Sequence, residues 1–304
     1  MKKIAICAIA ITYFLSYGRV AVAIDHLSLV TTPIILNQNQ ENLLQGTGFY
    51  YVKEDPSGSV LFLVTNHHVL TGSVPAENKP PMGNNIEFFL HKDNDKPQDV
   101  KKIKLPLYTK SSKPTWLKSK KYPSADIAVL PIPIELWSDC KFNVIAERWA
   151  EKKMKLRPTT LVTLIGYPHG YFDNYNQLPV WKTGHISSEP EYDFQNLPLI
   201  LVDVSAFPGM SGSPVFAFAD SGYESTQGGF IIGGKIKQFI GIYASQPILK
   251  EKRFLEVLSS ADRQGITVDK SLNLGHIWKA ELIVEIINNF ESDNYDKEIL
   301  SDLR

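Results

Sequence analysis

The sequence predicts an all-β protein, a barrel or a sandwich, with one amphipathic helix near its C-terminus. Three observations carry this. Between roughly residues 28 and 250 the apolar residues fall in short or alternating runs bounded by Gly, Pro, Asn and Asp. Nothing in that stretch alternates strand with helix as a parallel α/β sheet would. Only near the C-terminus do apolar residues recur at helical spacing.

In chain order, Lys2 and Lys3 form a short basic region, and a mostly apolar run follows from Ile4 to Tyr17. The segment then turns small at Ala21-Val22-Ala23, an A-x-A pattern that a signal peptidase could cut before Ile24. The run is short for a membrane span, which needs roughly 20 residues. Residues 1–23 are therefore expected to be a signal peptide, and the mature chain to be exported, to the periplasm or the medium, with no stable membrane insertion. Cys7 would leave with the signal, and Cys140 alone would remain, so no internal disulfide can form and the fold must rest on its apolar core.

Strands are expected at Gly48–Val52, Val60–Val64, Ile86–Leu90, Ile127–Ile132, Leu161–Ile165, Leu199–Val204, Pro214–Phe218 and Phe239–Tyr243. Short strands separated by turn signals suit a barrel or a sandwich. Leu136–Lys155 is mixed, charged and weakly helical, and reads as a connection between two strand-rich halves, 24–135 and 158–250, with the connection spanning 136–157. Pro75–Asn85 and Lys110–Lys121 read as solvated loops. Residues 251–304 form an extension in which Ile277, Ala280, Ile283, Val284 and Ile287 predict a helix over Leu274–Phe290, followed by a charged tail. Residues 251–273 carry no legible role.

Lys+Arg and Asp+Glu balance at 32 each, so the net charge points to neither nucleic acid nor an anionic surface as partner. The histidines show no His-x-x-x-His or Cys-His spacing; no metal site and no cofactor is implied.

Three segments carry chemistry. Thr65-Asn66-His67-His68-Val69 ends an apolar strand, Asp126-Ile127-Ala128-Val129-Leu130 sets an acid at the mouth of another, and Gly209-Met210-Ser211-Gly212-Ser213-Pro214 is a Gly-rich turn around a serine. A serine nucleophile needs a base for its proton, a carboxylate to orient that base, and backbone N–H groups aimed at the developing oxyanion. Lipase-like α/β hydrolases use G-x-S-x-G and run Ser, acid, His; here Ser213 holds the fifth position and the histidine comes first. The subtilisin-like order Asp, His, Ser fails too.

The three segments resemble the T-[AN]-x-H, D-[IL]-A-[VL]-[LI] and G-[DN]-S-G-[GS]-P motifs of trypsin-like (chymotrypsin-fold) serine peptidases. The resemblance covers about residues 45 to 245 and is nearest the bacterial HtrA-like and V8-like branch, without a PDZ domain, for which no room is expected after residue 250. It implies two packed six-stranded antiparallel β-barrels with a C-terminal helix against the second. It also implies a polypeptide substrate, Ser211 as nucleophile, His68 as base, Asp126 as its orienter, and the N–H groups of Gly209 and Ser211 as oxyanion hole. His67 competes with His68; the motif's spacing to Val69 favours His68, leaving His67 to point away or cap a turn.

Met210 departs from the pattern, because zymogens of the family pair an Asp there with a newly cut N-terminus. Phe239–Ser245 resembles the strand that lines the P1 pocket, with Tyr243, Ala244 and Ser245 on its wall and Ser205 near its floor. No acid stands at Ser205 and no histidine at Tyr243, so a small or medium apolar P1 residue is expected. Two other readings use the same residues: an idle two-barrel binding or adhesion module, and an esterase or acyl transferase. His169 with Asp173 is read as a turn rather than an acid–base pair, and His185 as a surface residue.

Overall fold

The computed structural model describes residues 24–38, 41–55, 58–255 and 264–291. The expected signal peptide and all but the first residue of the charged tail lie outside these.

The first sheet is built from β1 (Thr31–Gln38), β2 (Glu41–Asp55), β3 (Gly58–Thr65), β4 (Asn85–His91), β5 (Val100–Pro106) and β6 (Ala128–Ile132), in the antiparallel order β5-β4-β1-β2-β3-β6. A short helix, α1 (His67–Thr71), follows β3 directly. Among the described residues the end strands β5 and β6 are linked only through the segment that follows β5: Thr115 N–H bonds back to Leu107 O at 3.0 Å, and Leu117 and Val129 of β6 exchange N–H···O bonds of 2.8 and 3.1 Å. The first barrel is thus a sheet closed by one irregular segment.

The connection holds no α-helix. It contains β7 (Ile145–Ala146), which pairs parallel to β2, and a 3₁₀ turn at Glu147–Trp149. Beyond it come β8 (Leu161–Gly166), β9 (Val180–Ile186), β10 (Leu199–Asp203) and β11 (Pro214–Ala219), a small hairpin of β12 (Gly222–Glu224) and β13 (Phe230–Ile232), then β14 (Ile236–Ser245). A two-stranded ribbon, β15 (Ile248–Leu255) and β16 (Gln264–Ser271), precedes β17 (Leu274–Lys279) and α2 (Ala280–Asn288). The second barrel closes fully, in the antiparallel order β10-β17-β14-β11-β8-β9. The protein therefore has a two-barrel, chymotrypsin-like fold.

Period-two alternation explains how one strand serves two cores. On β2, Phe49 and Tyr51 face a cluster between the barrels, while Tyr50 fills the first barrel. On β3, Phe62 and Val64 take the interbarrel side, and Leu61 and Leu63 the interior. The second barrel supplies Phe216, Phe239 and Ile242 to the same interbarrel core. Each such buried side chain contributes about 1.5–3 kcal/mol, so the docking of the barrels is apolar first.

The helix expected over Leu274–Phe290 begins six residues later. Leu274–Lys279 is the sixth strand of the second barrel, paired to β10 on one side and β14 on the other. Ile277 enters the barrel interior and Trp278 the interbarrel core, an alternation hidden within an apparently helical spacing. The barrel's last strand therefore lies past residue 250, where the sequence reading ended that barrel. Helix α2 buries Ala280, Leu282, Ile283, Ile286 and Ile287 in the interbarrel cluster, and Phe290 meets Phe62 of the first barrel edge-on at 5.2 Å, so the C-terminal segment packs on both barrels rather than the second alone. Among the described residues no helix is long and apolar enough to cross a membrane.

Candidate active site

β3 delivers His68 to the cleft. The strand ends at Thr65, Asn66 keeps extended angles as the N-cap of α1, and Gly72 ends that helix in the left-handed region at φ 84°. His68 thus sits in the first turn of a helix only five residues long. Asp126 arrives from the loop before β6 and is buried, 5% exposed. One carboxylate oxygen accepts from the His68 backbone N–H at 2.9 Å, and the other lies 2.6 Å from the ring Nδ1. Asn66 Nδ2 donates to the Asp126 carbonyl at 2.6 Å and fixes the backbone beneath the carboxylate. With Nδ1 donating to Asp126, the free Nε2 is the ring's basic nitrogen.

His67 turns the other way. Its Nδ1 lies 3.1 Å from the Ser73 carbonyl, its ring meets Trp116 edge-on at 5.9 Å, and burial holds its pKa below the ordinary histidine value. It does not line the cleft that His68 and Ser211 share.

Ser211 lies on the loop between β10 and β11. Met210, at the position where zymogens carry an Asp, is fully buried among Val162, Leu164 and Val215 of the second barrel. Apolar burial anchors the loop where an ion pair would otherwise be formed. The turn Phe207–Met210 is closed by Met210 N–H to Phe207 O at 3.0 Å.

Both peptides flanking Gly209 are held by their carbonyls. The Pro208 carbonyl accepts from His169 N–H at 2.7 Å, and the Gly209 carbonyl from the Thr47 hydroxyl at 2.7 Å. Gly209 itself takes φ 94°, which a side chain would strain, and an added Cβ would stand 2.5 Å from the Tyr167 carbonyl oxygen. With the Pro208 carbonyl drawn to His169, the Gly209 N–H on the other side of that peptide engages no acceptor among the described residues; nor does the Ser211 N–H, whose peptide is held through the Met210 carbonyl, which accepts from Ser213 N–H at 3.0 Å. His169, read from sequence as a turn residue, sits in a 3₁₀ turn at φ 47° and acts here through its backbone.

Thr47 went unread in the sequence. Fully buried on β2, it donates from N–H to Ser211 O at 2.8 Å and from Oγ1 to Gly209 O, and accepts at Oγ1 from Tyr167 N–H at 3.0 Å and at its carbonyl from the Thr65 hydroxyl at 2.7 Å. It ties the first barrel to the nucleophile loop of the second. The signal was Gly46-Thr47-Gly48: a Cβ at Gly46 would stand 2.6 Å from Val69, and one at Gly48 2.6 Å from Ile34. Two glycines inside a strand mark a close approach of chains.

The Ser211 hydroxyl donates to the Ala244 carbonyl at 3.0 Å. Its cleft of about 420 Å³ is bounded by His68, Phe207, Pro208, Tyr243, Ala244, Ser245 and Gln246, among others. Tyr243, Ala244 and Ser245, read from sequence as pocket residues, line this cleft. Ser205 does not line the cleft; it is exposed, because the chain turns tightly there, with Ala206 N–H bonded to Val204 O at 3.0 Å. Gln246, unread from sequence, does line the cleft. His185 is half-exposed beside Asp203, away from the cleft.

A family model described as a trypsin-like peptidase domain matches residues 46–222, more than half of the chain. No curated protein matches. Among solved structures, the serine endoprotease from Yersinia pestis is similar over 89% of this chain, at 15% identity and a TM-score of 0.48. The chain covers 66% of that structure, just under two thirds of its length. The inactive form of the Rv3671c protease matches over 88% of this chain and 91% of its own, at 15% identity and a TM-score of 0.43. Tobacco etch virus protease matches over 72% and 69%, at 11% identity and a TM-score of 0.38.

Proposed function

Because this chain belongs to the trypsin-like serine peptidases, we propose that it hydrolyses peptide bonds with Ser211 as nucleophile, His68 as base and Asp126 as the group that orients His68. The observation that carries the reading is the two-handed grip of Asp126 on His68, backbone N–H at one oxygen and ring Nδ1 at the other. That grip fixes the imidazole's tautomer and stabilises the cation formed when Nε2 takes a proton.

An extended peptide enters the cleft and its P1 N–H takes the Ala244 carbonyl, displacing the Ser211 hydroxyl toward His68. Ser211 Oγ attacks the scissile carbonyl carbon as its proton passes to His68 Nε2. The oxyanion is received by the Gly209 and Ser211 N–H groups, whose orientation is set before the substrate arrives. His68 returns the proton to the leaving amine, the C–N bond breaks, and an acyl-enzyme remains on Ser211. Water, deprotonated by His68, then releases the acid and restores the serine.

The walls by Tyr243 and Ala244 support a small or medium apolar P1 residue; the acid that lines the cleft, Glu77, belongs to the 3₁₀ turn Pro75–Glu77 of the first barrel and not to the β14 and nucleophile-loop segments read as the P1 pocket. The basic, apolar and small-residue pattern of Lys2–Ala23 supports export to the periplasm or beyond. The test is cleavage of a quenched peptide library, beside a small ester, by wild type, Ser211→Ala and Asp126→Asn. Peptide cleavage lost in Ser211→Ala and reduced by about 10⁴ in Asp126→Asn is expected. Turnover of the ester without any peptide would favour an esterase, and cleavage chiefly after Arg or Glu would contradict the P1 reading.

A further inference from the structure

We propose that Gln246 is the residue that sets P1 size, its side chain lying as a bar across the P1 slot and limiting it to side chains of about the size of Gly, Ala or Ser. The inference rests on the peptidase reading above. It deepens that reading by moving the determinant from Tyr243 to Gln246 and by narrowing the substrate class.

With the Ala244 carbonyl taking the P1 N–H, the P1 side chain enters the part of the cleft lined by Phe207 and Pro208 of the nucleophile loop and by Tyr243, Ser245 and Gln246 at the end of β14. Ser211 Oγ and the Ala244 carbonyl mark its mouth. Gln246 stands two residues beyond Ala244, and its Nε2 crosses to the opposite wall, donating to the Ala206 carbonyl at 2.7 Å. Its Oε1 accepts from the Ser271 hydroxyl at 3.3 Å. The carboxamide, carried on the segment just past β14, is thus held by the nucleophile loop on one side and the end of β16 on the other.

Burial agrees with a barrier. Ala206 is 5% exposed and Tyr243 is 3% exposed, so the groups beside the carboxamide are themselves buried. Gln246 itself is only half-buried and lines the cleft with Phe207, Pro208, Tyr243 and Ser245, whereas Ala206 and Ser205 do not. A side chain longer than about one heavy atom past Cβ would have to displace the amide and strand the buried Ala206 carbonyl. Discrimination by an unpaired polar group exceeds what a mere apolar misfit gives.

The test uses peptides identical except at P1 (Gly, Ala, Val, Leu or Phe), with kcat/KM measured for wild type, Gln246→Gly and Gln246→Ala. Ratios within one protein are read, so a partly folded variant still reports. Fluorophosphonate labelling of Ser211, which needs no P1 side chain, is run beside it. Wild type is expected to favour Ala over Leu and Phe by at least about tenfold, and both variants to raise the Leu/Ala ratio by about tenfold or more. A wild type that prefers Leu or Phe, or a ratio unmoved in both variants while Ser211 still labels, would overturn the role of Gln246 and leave the peptidase reading standing. No cleavage and no labelling in any of the proteins would overturn both.

Discussion

At the residue scale, the site depends on a few polar atoms that have no slack. Thr47 Oγ1 both gives to Gly209 O and takes from Tyr167 N–H, so a valine of the same shape would leave two buried backbone groups unpaired. Thr47→Val is expected to lower kcat by about ten- to a hundredfold with KM changed only a few-fold, because the hole matters most in the transition state. Thr47→Ser, which keeps the hydroxyl, should recover most of it; equal activity of the valine variant would rule the clamp out. The adjacent histidines separate in the same assay. His68→Ala should abolish turnover, while His67→Gln should leave it within a few-fold, since His67 faces Ser73 and Trp116. The chemistry-bearing residues were legible as motifs, because each has to be a particular residue type at a particular offset. Thr47 and Gln246 were not: one works through a buried hydroxyl, the other through a crossing that only the folded loop creates.

At the scale of elements, legibility followed the environment of each strand. The eight strands read from sequence are those whose apolar runs are flanked by turn residues; each lies on an observed strand and overruns it by at most one residue, while β2 and β14 extend several residues beyond the runs that were read. Of the barrel strands, β1, β5, β9 and β17 were missed, as were the two-residue β7 and the hairpins β12–β13 and β15–β16 outside the barrels. In β5, Lys101, Lys102 and Lys104 interrupt the pattern, since its outer face is wet; in β1, Pro33 and the threonines hide a strand that is buried on both faces. β17 was lost to α2, because Ile277 and Ala280 share a helical spacing across the strand–helix junction. Tertiary pairing with β10 and β14 overrode that local signal. Helix α2 is expected to be a clasp: Ile283→Ala, which opens space in the interbarrel core, should cost roughly 2–5 kcal/mol and lower Tm by several degrees. A change under one degree in a thermal melt would mean that the helix is dispensable to the docking of the barrels.

At the scale of the whole molecule, stability is apolar and pH-dependent on the acid side. Cys140 is the one cysteine among the described residues and is free, so no disulfide supports either barrel there. His67, His91 and His276 are distributed over both barrels, and burial holds each below the ordinary histidine pKa of 6.5. The unfolded chain therefore takes up protons near that value while the folded chain does not. Stability is full above it, where these groups are neutral in both states, and declines as pH falls below it. His91 has the clearest cause: it lies 2.8 Å from the Pro97 carbonyl at Nδ1, and its Nε2 is buried with no partner among the described residues to receive a proton's hydrogen bond. Tm should be flat from pH 7 to 8.5 and fall between pH 6.5 and 5.5, and His91→Asn, which keeps a donor for Pro97, should flatten that slope. An unchanged slope in the variant would contradict the assignment.

The central claim is that Ser211 is an activated nucleophile in a site assembled from both barrels. The most direct measurement is fluorophosphonate labelling of the purified protein beside Ser211→Ala and His68→Ala, with the modified peptide located by mass spectrometry. Labelling at Ser211 alone, absent from Ser211→Ala and strongly slowed in His68→Ala, is the expected result. Labelling at another residue, or none in the wild-type protein, would contradict it.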